Sequence, residues 1–182
     1  MKPGDHPEFF RFPAPEGASR ESTIRLDGEG RFFHEGALVE HPGLAAAMHT
    51  WIRRHPDDGR FILSNGYDWT YFTVLDAPFS VRHVAEQDGR LWLDLSDGTR
   101  EAWDPASSRV GGDGALYARL ERSGKGDALL FEAKFTRHAQ AELAPYLVES
   151  AGEAAVKVPG NVEAQDVRIG AREGPPKGAA MD

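Results

Sequence analysis

Six Asp-Gly or Asn-Gly dipeptides punctuate this chain, at 27–28, 58–59, 65–66, 88–89, 97–98 and 113–114. Each lies between short apolar runs. Glycine has no Cβ, and Asp and Asn tolerate the left-handed region, so these pairs suit the positive-φ positions of tight hairpin turns. A chain punctuated in this way reads as a series of antiparallel hairpins. The intervening runs predict strands over 23–27, 31–35, 60–64, 69–75, 79–85, 90–95, 100–104, 115–121 and 128–135. Leu91, Leu93 and Leu95 share one face, as do Leu116, Ala118 and Leu120, and then Leu129, Phe131, Ala133 and Phe135. Residues 69–75 are apolar on both faces, which predicts a central or doubly covered strand.

Two helices interrupt the strands. The first is predicted over Pro42–Arg54: proline suits the first helical position, Leu44, Met48, Trp51 and Ile52 mark one face, and Pro56 stops it. The second is predicted over Arg137–Glu149, capped by Thr136, with Ala139, Leu143, Tyr146 and Leu147 on its apolar face. Pro145 should kink or split it, because proline removes the hydrogen bond to Ala141. Arg25-Leu26-Asp27 with Gly30-Arg31 matches Arg119-Leu120-Glu121 with Gly124-Lys125, so a strand–turn–strand–helix unit occurs twice. The fold class expected is α+β: two small antiparallel-sheet halves, each with one helix. The expected division is an extended Pro/Phe-rich arm over 1–20, an N-terminal half over 21–76, a C-terminal half over 77–150 and a mostly disordered tail over 151–182. The arm carries Phe9, Phe10 and Phe12, which argues that it docks. The tail has no aromatic residue, although 156–158 and 167–169 could each add a short strand.

Composition narrows the function. With no cysteine, disulfides, thiolate metal sites and cysteine nucleophiles are excluded. Lys plus Arg number 21 against 29 Asp plus Glu, a net charge of −8, which argues against nucleic acid and anionic membranes as partners. No run approaches the roughly 18 apolar residues of a spanning helix, and no signal-peptide pattern is visible, so a cytoplasmic location is expected. The seven histidines show no metal-ligand spacing, and His34-Glu35…His41 is not a zincin motif, so no metal and no cofactor is expected. Gly111-Gly112-Asp113-Gly114 and Gly124-Lys125-Gly126-Asp127 are not phosphate loops and read as hairpin turns. What remains is an aromatic and basic set: Tyr67, Trp69, Tyr71, Asp76, Phe79, Arg82, His83, Arg119 and Lys134. If these converge, the rings could stack on a base while the cations meet phosphate or carboxylate.

The ordered stretches Glu21–Asp27, Gly30–Gly36, His41-Pro42, Tyr67-Asp68-Trp69, Asp76–Phe79, Leu95–Thr99, Asp104-Pro105, Arg109-Val110-Gly111, Asp113–Tyr117 and Phe131–Arg137 resemble the bacterial domain of unknown function 1285 (DUF1285) family. The resemblance implies a duplicated α+β core and a C-terminal half like a pleckstrin-homology barrel closed by a helix. It also implies a groove between the halves that takes a nucleotide-like ligand, and a role in signal transduction. No activity is established for the family, so no catalytic residue is carried over. Similar proteins often continue past the last helix into an aromatic-rich strand, which residues 151–182 lack. The reading is therefore a non-catalytic cytoplasmic ligand-binding or signalling module for a small anionic, nucleotide-like molecule. The alternative is a protein–protein adaptor that uses an open sheet edge. An enzyme with His34, His83 or an acid as general base ranks last.

Overall fold

The computed structural model describes residues 1–122, 129–150, 152–157 and 167–170. The chain divides into two compact units, one built mainly on Met1–Phe79 and the other on Ser80–Leu95, Thr99–Arg122 and the described residues from Leu130 onward.

The first unit begins with two short 3₁₀ turns, Pro3–Asp5 and Pro7–Arg11. The arm is therefore not wholly extended: each turn has proline at its first position, where the fixed φ is already helical and no N–H is needed. Then follow β1 (Glu21–Leu26), β2 (Phe32–His34), β3 (Ala37–Leu38), α1 (Pro42–Trp51), β4 (Ile52–Arg54), β5 (Phe61–Ser64) and β6 (Trp69–Val74). They form a sheet in the order β3-β2-β1-β6-β5-β4, so 69–74 is a central strand. Pairing is antiparallel except between β1 and β6, which run parallel. This corrects the wholly antiparallel expectation: the long connection through α1 brings the chain back in the same direction. The helix also stops earlier than predicted. Ile52, Arg53 and Arg54 leave it to pair with Leu63, Ile62 and Phe61.

Period-two alternation gives this sheet two covered faces. On one, Phe72 meets Phe32, which packs against His49 of α1. On the other, Trp69 meets the arm, with the Phe10 ring 6.0 Å away, and Tyr71 packs against Trp69. The arm is pinned by a bidentate Arg11–Asp57 pair and by Gly4 N–H donating to Gly66 O at 2.8 Å. A Cβ on Gly4 would lie 2.8 Å from Gly66 Cα, so this backbone approach requires glycine.

The second unit is built mainly on β7 (Phe79–Gln87), β8 (Arg90–Leu95), β9 (Arg100–Ala102), a 3₁₀ turn (Pro105–Ser107), β10 (Arg109–Val110), β11 (Leu116–Arg122), β12 (Leu129–Phe135) and α2 (Arg137–Leu143), with the end residues Phe79 and Leu129 counted in the first unit. The sheet order is β10-β11-β12-β7-β8-β9. Its core is the predicted alternation: Leu91, Leu93, Leu95, Leu116, Ala118, Leu120, Phe131, Ala133 and Phe135 are all buried. Thr136 caps α2 by accepting from Ala139 N. The α-helix ends at Leu143, Pro145 sits in a 3₁₀ turn (Ala144–Tyr146), and β13 (Leu147–Ser150) follows. β14 (Glu153–Val156) and β15 (Val167–Arg168) complete a small third sheet in the order β13-β14-β15. Thus part of the tail docks, burying Ala155 and Val156 completely. The remainder of the tail, and the 124–127 turn, lie outside the described residues.

Each Asp/Asn-Gly pair joins two consecutive antiparallel strands. Asp88-Gly89 has both residues at positive φ (52° and 72°), as a two-residue type I′ turn demands. Read from opposite ends, the two large sheets share one strand order, 3-2-1-6-5-4. The strand–turn–strand–helix repeat expected from the sequence falls on different members of that order, so its two copies are not at equivalent positions. It is β1, β2 and α1 at the start of one unit, and β11, β12 and α2 at the end of the other.

Candidate functional site

A cavity of about 330 Å³ lies in the first unit. α1 contributes Leu44, Met48 and Trp51 to it, at i, i+4 and i+7 of its predicted apolar face. The facing strands supply Ile24, Leu63 and Thr70, and Val39 follows β3. His34, Asn65, Asp68 and Trp69 complete the lining. The start of α1 is held by His41, whose Nδ1 accepts from Leu44 N–H at 3.2 Å. Leu44 remains 44% exposed, so the apolar wall opens to solvent at the helix start.

The polar side is preorganised by the β5–β6 turn. Asn65 Oδ1 accepts from the backbone N–H groups of Tyr67 and Asp68 at 2.8 and 2.9 Å. Asp68 Oδ1 accepts from Arg20 at 2.7 Å, and the carboxylate is otherwise largely exposed to solvent. Thr70 Oγ1 donates to Arg20 O at 2.8 Å. The buried indole N–H of Trp69 has no hydrogen-bond partner among the described residues. Among the described residues, no Lys or Arg lines the cavity.

The structure distributes the nine residues singled out by the sequence over both units. Tyr67, Trp69, Tyr71, Asp76 and Phe79 belong to the first; Arg82, His83, Arg119 and Lys134 belong to the second. Trp69 and Tyr71 are brought together, ring centroids 5.2 Å apart, although Trp69 is only 5% exposed. Each of the three rings meets a cation of this same chain: Lys2 lies over Tyr67 at 5.4 Å, Arg20 over Trp69 at 4.5 Å and Arg60 over Tyr71 at 3.8 Å. The rings expected to stack on a ligand are thus engaged internally. Tyr71 also donates to Asp58 at 2.8 Å. Partial burial, then that carboxylate, push its phenol up to about 12. Asp76 is exposed and its Oδ2 lies against the space beside Gly28; Phe79 is buried.

In the second unit Arg82 is exposed on β7, Arg119 lies 3.5 Å from Glu121, and Lys134 sits 5.6 Å from the Tyr117 ring, which Arg109 also covers at 3.8 Å. His83 joins two residues that sequence reasoning missed. Its Nδ1 lies 3.3 Å from Glu142 Oε1, and His138 Nε2 lies 3.0 Å from the same oxygen. Glu142 Oε2 accepts from Val84 N–H at 2.8 Å. That bond, with support from the two histidines, holds the carboxyl below its usual range. The spacing of the histidines along the chain offered no sign of this cluster, which the fold assembles around one carboxylate. His138 and Glu142 lie four apart on one helical face, a spacing visible in the sequence, but only packing of α2 against β7 adds His83.

The architecture defines an α+β protein with two six-stranded sheets and two α-helices among its described residues. Two crystal structures of DUF1285 family proteins share this fold. The one from Silicibacter pomeroyi DSS-3 is 16% identical, with a TM-score of 0.53 over 88% of this chain and 91% of that one. The one from Shewanella baltica OS155 is 18% identical, with a TM-score of 0.52 over 70% and 94%. The resemblance to the DUF1285 family seen in the motifs is thus matched at the level of fold. No family model and no curated protein matches the sequence. No helix among the described residues is long and apolar enough to cross a membrane.

Proposed function

We propose that this protein is a non-catalytic ligand-binding module of the signalling type, and that its binding site is the cavity between α1 and the first sheet. The observation that carries this reading is the preformed cavity itself. It falls within the size range of small-molecule sites, with apolar walls and a few oriented polar groups at one side. Its chemistry favours a compact apolar body bearing an N–H or O–H donor, which Asp68 would accept. The anionic, nucleotide-like ligand implied by the family resemblance would need cations, which the described lining of this cavity lacks. The six strands followed by α2 in the second unit support reading it as the pleckstrin-homology-like element. Strand addition to a protein partner is less well served, because the edge strands of the two large sheets are only two or three residues long.

A thermal-shift panel tests the proposal. One arm holds indole, phenol, tryptamine and short alkyl amines; the other holds mono- and diphosphate nucleotides. A ligand at about 100 times its Kd adds roughly 2.7 kcal/mol, or about 5–10 °C at this chain length. The expected result is a shift in the first arm that disappears in Leu44→Arg, a half-exposed position where the substitution places a charge at the apolar mouth. A nucleotide shift unaffected by Leu44→Arg would move the site out of the cavity, and a flat panel would favour the adaptor reading.

A further inference from the structure

We infer that His83, His138 and Glu142 form a binding site for one divalent transition-metal ion of the zinc class. The inference is independent of the cavity in the first unit. One ligand atom from each residue lies within 4.8 Å of the other two. Ligand atoms about 2.0–2.1 Å from a tetrahedral zinc are separated from one another by roughly 3.3–3.4 Å. The observed 3.3 Å from His83 Nδ1 to Glu142 Oε1 and 3.0 Å from His138 Nε2 to the same oxygen are near that spacing. Little movement would bring all three onto one ion.

Two further features point the same way. The β7–β8 pairing shifts register between Val81 and His83, a bulge that re-aims the side chains of β7 beside α2. The free oxygen of the carboxylate is also fixed from behind, since Val84 N–H holds Oε2 and leaves Oε1 presented to both imidazoles. Outer hydrogen bonds of this kind orient metal-ligating carboxylates. Thr136 N–H donates to Val81 O at 3.0 Å, so the start of the helix is anchored to the same strand. Two imidazoles with one carboxylate select zinc, cobalt, nickel or copper over magnesium and calcium, which prefer all-oxygen sites. His83 and His138 are 56% and 64% exposed, so a fourth coordination position would face solvent. The ion would cross-link α2 to β7 and leave one position for water or an anionic oxygen.

The test is calorimetric titration of Zn²⁺ into the full chain, with Co²⁺ absorption as a second readout. The expected result is one ion per chain and visible cobalt bands of tetrahedral intensity. Affinity should fall by about tenfold or more in His138→Ala and in His83→Ala. His6→Ala, at an exposed histidine far along the chain from the cluster, should leave it unchanged. The ligand histidines are exposed, so the variants should keep the wild-type circular dichroism and melting temperature in the absence of metal. An absence of saturable binding to the wild type would overturn the inference. So would binding that both ligand variants retain at full strength, which would mark the cluster as a purely hydrogen-bonded His–Glu–His contact.

Discussion

Tyr71 shows how single residues in this protein are committed to internal partners. Its hydroxyl donates to Asp58, and its ring faces Arg60, which forms a bidentate pair with Glu21. The phenol is raised to about 12, so the fold favours the protonated form over the ordinary value near 10. Its contribution to stability is therefore complete below about pH 10 and is lost as pH rises through 12. Ultraviolet titration at the phenolate band should show a late-ionising component that Tyr71→Phe removes, together with this part of the alkaline loss of stability. The placing of Trp69 and Tyr71 on one face was legible as a strand pattern, whereas Tyr67 lies in the turn before β6. The cations that occupy their rings, Lys2, Arg20 and Arg60, come from distant positions and could not be assigned by spacing.

At the scale of elements, the N-terminal arm and part of the segment after α2 are both packed. Gly4→Ala would place a Cβ 2.8 Å from Gly66 Cα, and relieving such overpacking costs about 1–3 kcal/mol. Equilibrium denaturation should show that loss, with a red shift in tryptophan emission as the arm releases Trp69. In β14, Val156→Ala should cost on the order of 1–3 kcal/mol, because the side chain is fully buried. A loose tail would tolerate the same change within about 0.5 kcal/mol. Thr136→Ala removes the cap of α2 and should lower stability by about 1 kcal/mol, read in the same denaturation series. That cap and the break at Pro145 were both legible, because each acts within one turn of chain. The release of Ile52–Arg54 from α1 was not, because their pairing with β5 is a tertiary gain that overrides helical periodicity.

At the scale of the whole molecule, the cavity and the histidine cluster share no residue and belong to different units. Leu44→Arg should therefore leave zinc affinity within about twofold, and His138→Ala should leave the response to cavity ligands intact; titration and thermal shift on both variants and the double variant check this.

The strands, their turns and the buried alternation were readable from the sequence alone, because backbone sterics at Asp/Asn-Gly and the two-residue period of a pleated strand act over a few neighbouring residues. The parallel return of β6 beside β1, the space left under Leu44 and the meeting of His83 with His138 and Glu142 depend on contacts between residues tens of positions apart. Those contacts are decided by which whole elements pack together, and a local pattern carries no record of that choice.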